Sequence, residues 1–179
     1  MGTGILVCGL NGAGKSTLGR ALAERLGFHY IDNEDLYFPR TDPAYLYAAP
    51  RTREEVEKLL LHEIKEHESF VFTSVKGDYG ADVASFFHYA ALIEVPRDIR
   101  LQRVRNRSFQ KFGDRMLPDG DLYEREERFF DFVASRAENT VEEWAGTLHC
   151  PIIRVDGTNS VEENIACVLT RIQKYYFGN

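Results

Sequence analysis

The chain has 179 residues, 44% of them hydrophobic, enough for one domain (1–179) with a substantial core and too few for two well-buried ones. A net charge of −6 argues against nonspecific binding to nucleic acid or an anionic membrane. Cys8, Cys150 and Cys167 are far apart without metal-ligand spacing, and no stretch approaches the ~20 apolar residues that cross a bilayer, so a reduced, cytoplasmic protein is expected.

Ile5–Cys8 is a short apolar run suited to a buried parallel strand. Directly after it, Gly9-Leu10-Asn11-Gly12-Ala13-Gly14-Lys15-Ser16-Thr17 is an uninterrupted phosphate-binding P-loop. Its glycines allow turn conformations in which successive backbone N–H groups point at an anion. Lys15 can then reach the outer phosphates, and the Ser16 hydroxyl can ligate Mg²⁺ at the N-terminus of the next helix, whose dipole favours negative charge. That helix follows in Leu18, Ala21, Leu22 and Leu26, and Gly27 stops it.

A second strand, Phe28–Ile31, leads into Asp32, Glu34 and Asp35. In an open parallel sheet the ligand crevice lies at the carboxyl ends of the strands, so these acids converge on the same edge as the P-loop. Asp32 is assigned to the Mg²⁺ shell. Either Glu34 or Asp35 would orient or deprotonate an attacking hydroxyl, although the same acids can also begin a helix by stabilising its first turn. A loop from Asp32 to Thr52 is expected, its Tyr37, Arg40, Tyr45, Tyr47, Arg51 and Arg53 suiting an anionic or ring-bearing acceptor. Thr52 with Glu55 forms a capping box for a helix over 53–66 with Val56, Leu59, Leu60 and Ile64 on one face.

The third strand, Phe70–Val75, is followed by no acidic residue, so Thr73 or Ser74 would hold metal-bound water in its place. The fourth, Ala90–Val95, precedes an arginine-rich helix in which Arg103 and Arg107 lie four apart on one face. With Arg115 they are preferred as phosphate ligands over Arg100 and Arg105. A loop from Arg107 to Asp121 would close over the phosphates and exclude water. Phe129, Phe130, Phe132 and Trp144 read as core, and the five scattered histidines as surface positions. The fifth strand is Ile152–Val155, and Ser160 with Glu163 opens the last helix.

These residues together resemble the small P-loop kinases related to nucleoside monophosphate kinases, shikimate kinase and gluconate kinase. The resemblance rests on Gly9–Thr17, Asp32 with Glu34, Val95-Pro96, the arginine-bearing helix and Val155-Asp156-Gly157-Thr158. It implies an α/β, three-layer P-loop fold with a five-stranded parallel sheet in order 2-3-1-4-5, an acceptor-binding segment near 36–68 and a lid near 107–122. It further implies ATP and Mg²⁺ as cofactors, Arg103 beside the base, Arg107 or Arg115 as a phosphate clamp, and Asp156, Gly157 and Thr158 as the adenine-side loop.

The expected activity is transfer of a phosphoryl group from ATP to a nucleoside monophosphate or a hydroxyl-bearing metabolite, by a monomer or homodimer with no nucleic-acid or membrane partner. The alternative is a regulatory ATPase with a macromolecular partner. A switch GTPase would need Asn-Lys-x-Asp and Asp-x-x-Gly, and an AAA-type motor an Asp-Glu ending an apolar strand; the chain has none of these.

Overall fold

The computed structural model describes residues 2–177. Five parallel strands, β1 (Gly4–Cys8), β2 (His29–Asp32), β3 (Phe70–Ser74), β4 (Phe87–Glu94) and β5 (Ile152–Asp156), form one sheet in the order β2-β3-β1-β4-β5. That is the order the resemblance implied. Because β1 lies between β3 and β4, its carboxyl end opens onto the crevice where the sheet reverses direction of growth.

Alternation along the apolar strands splits the core in two. Ile5 and Val7 pack with Leu18 and Leu22 of α1 (Lys15–Leu26) and Val168 of the last helix, whereas Leu6 and Cys8 pack with Val56 and Leu60. A strand that reads as continuously apolar is therefore one covered on both faces.

Local signals set most boundaries. After α2 (Asn33–Tyr37), helix α3 (Arg53–Glu66) begins where expected: Thr52 Oγ1 accepts from the Glu55 amide at 3.2 Å while the Glu55 carboxylate accepts from the Thr52 amide at 2.8 Å. Gly27 ends α1 in the left-handed conformation, φ 68°, satisfying carbonyls of the last turn. Two short helices follow, α4 (Ala81–Ala84) after β3 and α7 (Thr140–Ala145) before β5.

Two expected loops are helical in part. Asn33–Tyr37 is a short turn of helix within the predicted 32–52 loop, because the Asp32 side chain caps it. Helix α5 (Arg97–Phe112) runs five residues beyond Arg107, and a 3₁₀ turn at Gly113–Met116 and α6 (Tyr123–Ser135) follow it. These elements share a small apolar cluster of their own: Val104, Met116, Phe130 and Val133. Helix α8 (Val161–Phe177) closes the chain, opened by Ser160 and Glu163 as predicted. No described helix is long and apolar enough to cross a membrane.

One glycine outside the P-loop decides how close α1 comes to the sheet. A Cβ on Gly19 would lie 2.2 Å from Thr73 Cγ2. Gly19→Ala should therefore destabilise the protein by ~1–3 kcal/mol through overpacking, offset only in part by alanine's better helix propensity. The double variant with Thr73→Ser, which removes that methyl but keeps the hydroxyl, should recover most of the loss in a thermal melt; equal melting of the single and double variants would refute the contact.

Candidate functional site

The P-loop leaves β1 and returns as α1, and it is braced from behind. Gly12 has φ 82°, and a Cβ there would lie 2.3 Å from the Arg100 carbonyl, so only glycine lets the loop rest on α5. Arg100 is buried at 3% exposure. Its guanidinium donates to the carbonyls of Val95 and Asn11, each at 3.2 Å, and to both oxygens of Glu138 at 2.7 and 2.8 Å. It is a buttress of the loop with every arm committed, so the structure removes it from the candidate phosphate ligands.

Lys15 is half-buried, and its Nζ donates to the Leu10 carbonyl at 3.1 Å. Desolvation, and after it the nearby Arg107 charge, push its pKa down to about 8; Asp32 opposes the shift. Arg107 is exposed on α5.

Asp32 ends β2 and caps α2, so the helix-start reading and the cavity reading hold together. Its Oδ1 accepts from the Glu34 amide at 2.9 Å and its Oδ2 from the Tyr30 hydroxyl at 2.7 Å. The same hydroxyl lies 3.2 Å from Thr73 Oγ1 and 3.4 Å from the Ser16 carbonyl, joining β2, β3 and α1 at one point. Burial above all pushes the Tyr30 pKa up to about 12, so it stays a donor. Tyr30 was not singled out from the sequence, although its position two residues before Asp32 puts both on one side of the strand.

A cavity of about 370 Å³ opens on this side of the loop, with Lys15, Ser16 and Asp32 at one end. Phe38, Tyr45 and Tyr47 of the predicted acceptor segment supply one wall. Arg107, Lys111, Arg125, Glu126, Phe129 and Arg136, from α5 and from α6 and its end, supply the other. Glu34 lines the cavity and accepts from Tyr47 at 2.8 Å and from Lys111 at 3.4 Å. Asp35 is exposed and paired with Arg40, outside the cavity, so geometry separates the two acids that the sequence left as alternatives.

The cations expected from the acceptor segment do not reach this space. Arg40 pairs with Asp35, Arg51 donates to the Leu36 carbonyl, and Arg53 bonds the Asp78 carbonyl. Lys111, Arg125 and Arg136 stand there in their place, and the sequence pointed to none of them, nor to the neighbouring Glu126. Glu126 is 2% exposed and accepts from Tyr45 at 3.1 Å. Arg136 Nε is buried with no hydrogen-bond partner, and burial lowers its pKa. A buried donor left unpaired costs ~1–3 kcal/mol, so this is the group an anionic ligand would satisfy. Phe129, expected in the core, lines the cavity; Phe130 is core and Phe132 is exposed.

A second cavity of about 230 Å³ lies on the other side of the loop, lined by Ala13, Gly14, Thr17, Arg103, Gly157, Asn159 and Asn164. Arg103 donates to the Gly157 carbonyl at 3.0 Å, fixing helix and loop together. Asp156 turns back to the amide and hydroxyl of Thr158 at 2.8 and 2.6 Å, bonds that hold its carboxyl below the usual range, and neither residue lines this cavity. Arg115 pairs with Asp121 at 2.6 Å and donates to the Ala44 carbonyl at 2.9 Å; it lines neither of these two cavities but a separate one, with Asp42, Ala44 and Asp121. The Cys8 thiol, buried, is pushed up to about 12 and is chemically inert; all three cysteines are unpaired.

A family model described as an AAA domain, AAA_18, matches residues 5–115. The chain belongs to the AAA_18 family. Its β3 ends in Thr73-Ser74, so this AAA_18 protein lacks the Asp-Glu that an AAA-type motor would carry there. A protein of Bacillus subtilis (strain 168) named "Uncharacterized protein YqaC" is 30% identical over 175 residues, covering 92% of this chain and 94% of that protein.

Among solved structures, the shikimate kinase of Aquifex aeolicus superposes with a TM-score of 0.59 at 16% identity, covering 99% of this chain and 100% of the other. A gluconokinase from Sinorhizobium meliloti gives 0.56 at 16% identity, covering 99% and 97%. The AAA_18 protein thus has the small P-loop kinase fold along its whole length.

The Lys15 pKa gives a testable sign. Near pH 8 about half of the free protein has lost the Lys15 proton, whereas a bound polyanion favours the charged form. Triphosphate binding near pH 8.5 should therefore take up a fraction of a proton, and affinity should fall as pH rises further. Calorimetry in two buffers of different ionisation enthalpy reads the uptake. Its absence in wild type, or its persistence in Lys15→Arg, would contradict the depressed value.

Proposed function

We propose that this AAA_18 protein is an ATP- and Mg²⁺-dependent phosphotransferase acting on a small-molecule acceptor. One observation carries the reading: the P-loop stands between two separate cavities, one beside Arg103 and the β5–α8 loop and the other beside Asp32 and Glu34. A protein that only binds or hydrolyses a nucleotide needs the first. The second, at about 370 Å³, has the size of a small-molecule site, for which ~300–1,000 Å³ is usual.

In this reading the base occupies the smaller cavity and the phosphates lie along the backbone amides from Gly9 to Thr17. Ser16 and Asp32 would hold Mg²⁺, which when bound spreads the charge of the phosphate oxygens. Tyr30 fixes the Asp32 carboxylate by donating to one of its oxygens, so that Asp32 keeps one orientation through the reaction. Lys15 and Arg107 put two positive charges beside the group in flight, where transfer depends mostly on positioning and charge stabilisation. Glu34 is placed to accept the proton of an acceptor hydroxyl, in preference to Asp35, and Arg115 closes the lid by its ties to Asp121 and Ala44 without touching phosphate.

The acceptor is anionic and carries a ring. Arg125, Lys111 and Arg136 meet its charge, while Phe38, Tyr45, Tyr47 and Phe129 offer ring faces. Nucleoside monophosphates and hydroxylated acid metabolites both satisfy that description. The free thiols suit a reducing compartment, and we place the protein in the cytoplasm.

The test is ADP release from MgATP in the presence of nucleoside monophosphates, shikimate, sugar acids and aminoglycosides, each compared with the acceptor-free rate. At least one anionic acceptor should raise the rate. With it, Lys15→Ala should lower kcat/KM by about 10²–10³, the scale of losing one preorganised transition-state contact. Asp32→Asn should reduce Mg²⁺-dependent turnover far more than Mg²⁺-free nucleotide binding. No acceptor-stimulated release across the set would overturn the transfer reading in favour of a regulatory ATPase.

A further inference from the structure

We propose that His29, Glu63 and His67 form a binding site for a transition-metal ion, zinc by the character of its ligands, which fastens the start of β2 to the end of α3. The site lies outside the phosphate-transfer machinery: His29 and Asp32 are opposite ends of the four-residue β2, ~10 Å apart at strand rise.

Three observations converge. Glu63 and His67 are four residues apart on α3 and its C-cap, the spacing that puts two side chains on one helix face, and His29 meets them from the edge strand of the sheet. His29 Nε2 is 2.8 Å from Glu63 Oε2, His67 Nε2 is 3.8 Å from the same oxygen, and the three ligand atoms all lie within 4.8 Å of one another. Among the described residues this is the one group of three such side chains so close together.

The distances suit an ion. Tetrahedral zinc at about 2.0–2.2 Å from nitrogen and oxygen ligands holds those ligands about 3.4 Å apart, a value between the 2.8 and 3.8 Å found here. The ligand set decides the metal class: two imidazoles and one carboxylate favour zinc, copper or nickel over magnesium or calcium, which prefer oxygen alone.

The two imidazole rings are stacked, with centroids 3.4 Å apart and planes 13° apart. Both therefore present Nε2 to one carboxylate oxygen that only His29 reaches at hydrogen-bond distance. For both lone pairs to meet one ion the rings must fan apart by side-chain rotation. The side chains are 32%, 36% and 40% exposed, so this moves nothing buried and leaves a fourth position to water. His62 and His67, five residues apart, do not share a helix face, and His62 takes no part in the cluster.

Zinc titrated against a chelating indicator should show one tight equivalent per chain with micromolar or better Kd, and the melting temperature should rise with zinc. Cobalt in place of zinc should give the intense visible bands of a low-coordinate site. His29→Ala, His67→Ala and Glu63→Gln should each weaken binding tenfold or more, and His62→Ala should leave it unchanged. Metal-free melts check that each variant is folded, and His67→Ala, at the helix end, is the variant least able to disturb packing. Binding equal in wild type and His67→Ala, or equally sensitive to His62→Ala, would overturn the site. Either result is independent of acceptor-stimulated ADP release.

Discussion

The ammonium of Lys15 is the constraint around which the rest of the site is arranged. It is carried by a loop that cannot move it aside, because Gly12 rests on the Arg100 backbone and Arg100 in turn is locked to Asn11, Val95 and Glu138. Holding a cation partly out of water beside a second cation, Arg107, is unfavourable, which is why its proton is loosened. The protein thus stores an electrostatic deficit where the chemistry needs negative charge to dwell. Fully packed strands on both sides of β1 keep that deficit from relaxing.

The acidic side is built by different means. Asp32 is held by one backbone amide and one phenol, and the phenol also touches the strand and helix on either side. Four elements therefore agree on where a single carboxylate sits. The parallel order of the sheet makes this possible, since it delivers the ends of β1, β2 and β3 to one edge.

What the sequence discloses follows the range of the interaction. Gly9–Thr17, the Thr52–Glu55 box and the Gly27 stop are local, each written within a few residues, and all three stand in the structure where the chain puts them. The end of α5 is not legible because Ser108, Gln110 and Lys111 alternate with Phe109 and Phe112 without a clear helical stripe, and the stop, Gly113, lies six positions beyond Arg107. Glu126 and Arg136 were invisible for another reason. They belong to a helix whose phenylalanines read as core, and only the folding of the lid over the segment around Tyr45 brings them to a cavity some ninety residues away in sequence. Tyr30 was within reach, because strand alternation alone pairs it with Asp32.

The seam between the segment around Tyr45 and helices α5 and α6 is part aromatic and part polar: the Phe112 ring lies 5.4 and 6.2 Å from those of Tyr45 and Tyr47. Tyr45 meets Glu126, Tyr47 meets Lys111, and Arg115 meets the Ala44 carbonyl. Glu126 is 2% exposed, so water does not readily replace its bond to Tyr45, whereas exposed contacts such as that of Arg115 contribute only ~0–1 kcal/mol. Opening the larger cavity along this seam would part Phe112 from Tyr45 and Tyr47 as well as break hydrogen bonds, while the apolar cluster of Val104, Met116, Phe130 and Val133 lies wholly on one side and keeps its own contacts.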